Sequence, residues 1–586
     1  MSSIDWFVLV ATLAAIILYG LYKSKTTRNL DGYFLSNRSM PWYLVMLSIM
    51  GTQASAITFL SAPGQAYTDG MRFVQYYFGL PLAMVLIAAS FVPVFHKLKV
   101  FTAYEYLEQR FDLKTRAFTS FLFLLQRGLS TGISIYAPAI ILSSLLGWNI
   151  YWTNIVMGGV LIVYTMTGGA RAVAYTQQLQ FLIIFAGMFF AGYMVVKMLP
   201  EGVGFADALH VSGKLGKLNV ITSGTKTGGG FDWSDRYNIW SGIIGGFFLA
   251  LSYFGTDQSQ VGRYLTAKSL AESRTGLLMN GLVKVPMQFL ILLVGALVFT
   301  FYQFYTPPIF FNKVQTDKVA AAPAYKDSFN LLEQKHIAIA EEKQSAVRLF
   351  TDALHREDSV LMNQTAGQLR VLNAQSDTVR QQFTSILKKT PGADANDTNY
   401  IFLRFVIDYL PQGLIGLLIA VIFMAAWGSI AAALNSLSSS TMVDFHKRFS
   451  AKKERLEGAA LDEKEYKWSR RYTLFWGIFC IIVAQFSNRM GSLIEAVNVL
   501  GSLFYGVILG IFLVAFYVKK VGGNAVFTAA LVVEAGIIWM FFFTKLGFLW
   551  LNLVGAVAVV ALAWMLSLFM GERRVAPVVM NDAPSR

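Results

Sequence analysis

Arg127 follows Arg116 by about 11 residues in a stretch that is otherwise apolar and small, which at 1.5 Å per helical residue is about 16 Å of depth. Lys284 stands about ten residues after Arg274 in another apolar stretch and reaches a similar depth. An ionisable group so deep in hydrocarbon is costly and by default faces a wet cavity or a partner; snorkelling of the long stem to an interface is the competing explanation. The carboxylates found in apolar stretches are Glu495, near one end of its segment, and Glu534, in a late one, and neither neutralises both cations. A carboxylate that arrives with a solute does, and arginine's planar fork holds it through two parallel hydrogen bonds. A second feature is GTQASAITFLSAPG, Gly51 to Gly64, which puts small and polar residues in the middle of an apolar segment. Hydrocarbon offers no water to freed N–H and C=O groups, so such residues need protein or a wet cavity beside them. Gly242 to Gln260, GIIGGFFLALSYFGTDQSQ, interrupts another segment in a related way. Paired interruptions point to an inverted-repeat transporter, in which unwound backbone offers carbonyls to a cation and helix ends to a substrate. Taken singly, each is equally explained by close helix packing.

The elements that must position these groups are membrane helices. Of 586 residues 55% are hydrophobic and 14% charged, more apolar than a soluble core of this size needs. At about 20 residues per span, about 13 helices are expected, starting near Trp6, Trp42, Tyr76, Phe118, Tyr151, Thr176, Ile239, Leu277, Gly413, Tyr472, Leu493, Val526 and Phe548. Asp5, rather than a basic region, precedes the first, so it reads as a retained helix with the N-terminus outside. The connections from Lys23 to Arg38, His96 to Arg116, Gly168 to Val173, Asp257 to Thr275, Phe445 to Arg471 and Lys519 to Asn524, with the tail, then lie inside. They hold most of the loop cations, among them Lys447, Arg448, Lys452, Lys453, Arg455, Arg470 and Arg471. This placement explains the net charge of +15 without nucleic-acid binding.

One cysteine, Cys480, excludes an intrachain disulfide. His96, His210, His336, His355 and His446 have no second ligand at metal-binding spacing. No phosphate-cradling glycine motif follows a strand pattern, so no dinucleotide or ATP is implied and energy must come from an ion gradient. The polar excursion Pro307 to Tyr400 places Ile337, Val347, Phe350, Leu354, Leu361, Leu369, Leu372, Val379, Phe383 and Ile386 at helical spacing. It is expected to be an outward-facing helical hairpin, with disorder the alternative, and Pro391 and Gly392 to return the chain to the membrane.

The residues TQASAITFLSAPGQAY, TAYEYLEQRF, YAPA at Tyr136 to Ala139, VYTMTGGARAVAYT, YFGTDQSQVGRYLTAKS and ALNSLSSSTMVDF occur in this order. Together they make the chain resemble the sodium/solute symporters, the group of galactose, sialic acid, iodide and multivitamin carriers, over about Asp31 to Lys519 apart from the insertion. The resemblance implies an all-α polytopic protein with a leucine-transporter-like core of five plus five inverted helices. Its expected parts are 1–38, an extra helix and linker; 39–306, the first repeat and the start of the second; 307–400, the hairpin; 401–519, the rest of the second repeat; and 520–586, accessory helices and tail.

The resemblance also implies a sodium site made by the carbonyls of Gly51, Ala54, Ala425 and Gly428 and the hydroxyl of Ser429. Oxygen ligands without a carboxylate suit a weakly held monovalent ion, while a serine bonded back to its own helix is the alternative for Ser429. Some members build a second sodium site from an aspartate and two serines; Gln177, Ala431 and Ala432 stand at those positions here, which implies one sodium per cycle. In the pocket, Gln53 takes the place of an asparagine, Tyr253 that of an inner-gate tyrosine, and Ala250 that of a hexose-binding asparagine, a departure that weakens a simple hexose reading. An arginine on the helix of Arg127 binds the carboxylate in a sialic-acid-transporting branch, and a lysine at Lys284 is shared with sugar carriers. Ser55, Thr58, Phe73, Gln75 and Tyr76 complete the candidate lining, core packing being the alternative for the aromatic ones.

The function expected is import of a small polar organic solute, carboxylated like a sialic acid or another sugar acid, coupled to sodium and with no other cofactor. The expected location is a plasma membrane, a bacterial inner membrane in particular, with a cytoplasmic C-terminus. The alternatives are a neutral sugar, polyol or vitamin-like solute, proton coupling, or a transporter-like sensor whose hairpin binds a protein partner. A membrane enzyme would want a carboxylate or histidine constellation, and none is present.

Overall fold

The computed structural model describes residues 1–23, 30–226, 228–390, 394–450, 459–487 and 490–570. Expectations about Pro391, Gly392, Lys452, Lys453, Arg455 and the tail 571–586 concern residues outside these. The described residues are helical, with two isolated β-bridges and no strand.

Helix α1, Ser3–Lys23, leads to a bent pair, α2 (Trp42–Gln53) and α3 (Ala56–Asp69), whose axes meet at 60°. The composite run α4, Met71–Leu98, passes through 3-10 and π turns. α5 (Leu113–Leu146) and α6 (Ile150–Lys197) follow, then α7 (Gly246–Thr256), the short α8 (Gln258–Tyr264) and α9 (Leu270–Phe304). Two long polar helices, α10 (Lys326–His355) and α11 (Ser359–Lys389), form the hairpin. The chain continues through α12 (Leu414–Ser440), α13 (Ala459–Ala484), α14 (Leu493–Tyr517), α15 (Gly523–Phe543) and α16 (Phe548–Phe569). Among the described residues nine helices are long and apolar enough to cross a bilayer, and the bent pair makes a tenth. Ile150–Met166 and Ser241–Thr256 are shorter apolar helices.

Helix α6 is not one rod. The hydroxyls of Tyr164 and Thr176 lie 3.1 Å apart, whereas twelve residues of straight helix cover about 18 Å. The run therefore turns back on itself and supplies two antiparallel arms.

α1 starts on the face that carries the hairpin, because the Asp5 carboxylate accepts from the backbone N–H of Gly413 (2.6 Å) and Gly416 (3.3 Å) at the start of α12. Those amides have no partner within their own helix, and an anion is favoured at a helix N-terminus. The hairpin closes over its own apolar seam, in which Phe329, Leu332, Val379, Phe383 and Leu387 pack with Ile309 and Phe310. Arg380 Nη2 donates to both carboxylate oxygens of Asp397, at 2.9 and 3.0 Å, where the chain re-enters the bundle.

The second interruption falls within the expected Gly242 to Gln260, with a π turn at Ser241–Gly245 and a break at Asp257. The glycines at its start are close-approach residues: a Cβ on Gly242 would lie 2.2 Å from the Gln75 carbonyl oxygen, and one on Gly246 2.5 Å from that of Tyr76. At the break Asp257 is extended (φ −74°, ψ 119°) and caps α8 by accepting from Ser259 N–H at 2.7 Å. Asp257 begins the connection from α7 to α9, as expected, and it is buried within the protein.

Candidate functional site

Between α2 and α3 the chain leaves helical geometry at Ala54 (ψ 84°) and Ser55 (ψ 176°). Ser55 N–H turns to Gln53 O at 3.0 Å and Thr58 N–H to Ser55 O at 2.9 Å. The carbonyls of Gly51 and Ala54 are thereby left without the amides that a continuous helix would give them, the condition for a backbone oxygen to serve a cation.

Gln177 of α6 stands between this break and α12. A Cβ on Gly51 would lie 2.7 Å from the Gln177 amide, and one on Gly428 2.9 Å from Gln180 Oε1 and 3.3 Å from the Gln177 amide, so the two glycines let these glutamines pack closely. Its Nε2 donates to Gly428 O at 3.3 Å, while Oε1 is buried with no hydrogen-bond partner among the described residues. The Ser429 hydroxyl donates to Ala425 O at 2.9 Å. It thus bonds back to its own helix, and its lone pairs remain available because a hydroxyl both donates and accepts.

A central cavity of about 90 Å³ adjoins these groups, lined by residues that include Gln53, Ser55, Thr58, Tyr76, Arg127, Tyr253 and Ser429. Helices α2, α3, α4, α5, α7, α12 and α14 converge there, and two of them carry polar or small residues along one stripe of an otherwise apolar helix. On α5 the stripe is Gln126, Arg127, Ser130, Thr131 and Ser134, and on α14 it is Asn498, Gly501 and Tyr505. Apart from Arg127 these residues were not singled out from the sequence, although the spacing of three and four was present.

The structure separates three expected pocket residues from the rest of the lining. Gln75 is bound to the connection before α7, donating to Tyr237 O and Thr222 Oγ1 and accepting from Thr222 N–H, each at 3.1 Å. Phe73 is fully buried and stacks on Tyr76, with ring centroids 5.6 Å apart. Lys284 lies behind the wall: its ammonium is 5.7 Å from the Tyr77 ring centroid, and Tyr77, not Lys284, meets the cavity. Its Nζ has no hydrogen-bond partner among the described residues.

Arg127 is buried, sits 5.8 Å from the Tyr253 ring centroid and makes no ion pair among the described residues. Asp257 is close enough to attract it electrostatically, yet is occupied by Tyr505 OH at 2.8 Å and Ser259 Oγ at 2.5 Å. Glu495 pairs instead with Arg236. Both ends of the cavity are bridged. Tyr76 OH donates to Asn498 Oδ1 at 3.1 Å on the hairpin side, and Gln260 Nε2 donates to Tyr253 OH at 2.6 Å on the other. On that second face Asp444, fully buried, gathers Arg116 (2.7 Å), Thr102 (2.7 Å) and Ser120 (3.0 Å).

The profile of the sodium:solute symporter family matches residues 33–323 and 379–532, most of the chain. The chain belongs to this family. Its activity is sodium-coupled symport of a solute across a membrane. A sodium/sialic acid symporter of Proteus mirabilis is 24% identical over 562 residues, covering 95% of this chain and 93% of the relative. The human sodium-coupled monocarboxylate transporter 1 is 33% identical over 267 residues, 46% of this chain and 42% of that one. Among solved structures, the substrate-bound outward-open state of a sodium-coupled sialic acid symporter superposes with a TM-score of 0.72 at 22% identity, covering 98% of this chain and all of the other. That likeness establishes a shared fold.

Proposed function

We propose that the symported solute is a small organic acid, a sugar acid such as a sialic acid, whose carboxylate is gripped by Arg127. The observation that carries this reading is the buried guanidinium on a wall whose other polar groups are hydroxyls and amides and whose remainder is apolar. Arg127 makes no ion pair among the described residues and its nearby carboxylate, Asp257, is already held by Tyr505 and Ser259; an anionic solute lowers the cost of burying the charge while the fork fixes its orientation. The named substrates of the two relatives, sialic acid and monocarboxylates, support the same class.

Sodium sits at the break, on the carbonyls of Gly51, Ala54, Ala425 and Gly428 and the Ser429 hydroxyl. It ties α2 to α12 and completes the pocket that Gln53, Ser55 and Thr58 line. Ion and solute then bind with positive coupling because each orders the same broken segment. Gln177, Ala431 and Ala432 leave one sodium per solute. The thirteen spans comprise a five-plus-five inverted repeat, with α1 before it and α15 and α16 after it. The hairpin face lies outside a bacterial inner membrane, and the arginine- and lysine-rich face lies inside.

The cavity of about 90 Å³ is below the roughly 300 Å³ at which ligand pockets begin. Solute entry therefore requires the Tyr76–Asn498 bridge to part, and release requires Tyr253 to leave Gln260. Counterflow of labelled sialic acid, glucuronate, galactose and lactate in proteoliposomes, with and without sodium, tests the reading. Sodium-dependent counterflow of an acid is expected, and exchange of galactose alone would replace the acid by a neutral sugar.

A further inference from the structure

A second cavity, of about 410 Å³, lies on the hairpin face between the membrane core and the α10–α11 hairpin, with none of the central lining residues in its wall. Tyr67 near the end of α3 and Phe299 of α9 line its core side; Lys217, Lys343, Arg370 and Arg380 bring positive charge. Asp377 is the carboxylate among its lining residues. Arg380 is satisfied by Asp397, Arg370 by Lys214 O at 2.7 Å and Lys217 by Thr68 O at 2.5 Å. Lys343 is different. It is 3% exposed, and among the described residues its ammonium has neither a hydrogen bond nor an ion pair. Burial pushes its pKa down to about 8, with Asp377 pulling the other way and Arg380 adding to the depression.

A nearly buried lysine facing the cavity, with no ion pair and Asp377 as the carboxylate that attracts it, is a costly feature on a helix that could carry a neutral residue there. The cost is recovered when an anion enters. Even with Asp397 counted against Arg380, cations outnumber carboxylates in this wall. The Asn373 amide and the buried Ser376 add polar groups suited to a hydroxylated molecule. The volume lies in the range of roughly 300–1,000 Å³ that small-molecule sites occupy. We propose that this cavity is a second anion site, which takes a small organic carboxylate on Lys343 and Lys217 at the mouth of the transport path. Because Tyr67 lies on α3, a bound acid links the hairpin to the second half of the broken pair. The site stands whether or not the transported solute is itself an acid.

Amine protection tests it on the unaltered full chain. Reductive methylation of Lys343, read by mass spectrometry, is expected to slow about tenfold in saturating glucuronate or sialic acid and to be unaffected by galactose. Calorimetry in sodium-free buffer, where the central pocket is not completed, is expected to show acid binding that survives Arg127→Ala and is lost in Lys343→Met. If the acid that protects is also the one transported, the cavity loads the transporter; if only another acid protects, it regulates it. Equal protection by inorganic phosphate and chloride would overturn the carboxylate assignment, and no protection by either acid would overturn the site. Loss of all acid binding in Arg127→Ala with Lys343→Met unchanged would also overturn it, while leaving the central reading in place.

Discussion

The hydroxyl of Tyr76 on α4 reaches the amide oxygen of Asn498 on α14 at 3.1 Å, closing the central cavity towards the hairpin. The two residues are brought together by elements from different halves of the chain, so the bond reports the closed arrangement of those halves and not a local turn. A neutral hydrogen bond is worth about 1 kcal/mol net. Tyr76→Phe is expected to raise the open population on this side about fivefold. Labelling of Ser130→Cys in a Cys480→Ser background, with a reagent added from the hairpin side, measures it; an unchanged rate would show that the bond does not gate entry.

Ser429→Ala removes one of five oxygens at the proposed sodium site and leaves the backbone carbonyls in place. The sodium concentration for half-maximal uptake should rise about tenfold, equivalent to about 1.4 kcal/mol, with less change in the maximal rate. Identical sodium dependence in the variant would remove Ser429 from the site and leave its bond to Ala425 as its whole role.

Gln177 fills the space between Gly51 and Gly428 with an amide, and its neutral oxygen cannot replace a carboxylate as an anchor for a second ion. Charge moved per solute, measured with parallel sodium flux in proteoliposomes, should correspond to one sodium. A ratio of two would contradict the reading of Gln177, Ala431 and Ala432.

Asp394, near Tyr136 and Tyr400 where the hairpin returns to the bundle, has its pKa raised to about 7, chiefly by burial. A carboxyl whose folded pKa exceeds its unfolded value stabilises the fold when protonated; its contribution is fully present below about 4 and declines as pH rises through about 7. Asp394→Asn should therefore gain thermal stability relative to wild type at pH about 8 and show little gain at pH about 4. A difference between the two proteins that does not vary with pH would contradict this.

Much of this molecule is written in local pattern. The polar break in α2–α3, the depth of Arg127 and the apolar period of the hairpin each follow from a few neighbouring residues. Val347, Phe350, Leu369, Leu372 and Phe383 are buried at that spacing. The parts that escaped depend on which residues meet across the fold. Lys284 and Arg127 stand at similar expected depths along their helices, yet of the two only Arg127 lines the cavity, because rotation about a helix axis is set by packing. Asp257 begins the connection from α7 to α9, as its position after a helix suggests, but its inward contact with Tyr505 joins distant parts of the chain. Gln75 looked like pocket lining but is claimed by Thr222 and Tyr237 on a distant connection. The Ser130–Ser134 and Asn498–Tyr505 stripes were legible in principle, since each is a row of polar or small residues at helical spacing in an apolar segment.

The charge on Arg127 is the centre of the account, and binding of an acid and its amide to wild type and variants tests it most directly. Arg127→Lys keeps the charge but loses the fork and should weaken acid binding by about 1 to 3 kcal/mol, and Arg127→Ala should weaken it further. The amide should bind wild type poorly and distinguish little between wild type and Arg127→Ala, since the coupling energy belongs to the pair of charges. Sodium-dependent binding of the acid that collapses in Arg127→Ala, beside amide binding that does not change, is the predicted result. Acid and amide binding equally well, with Arg127→Ala transporting normally, would contradict it.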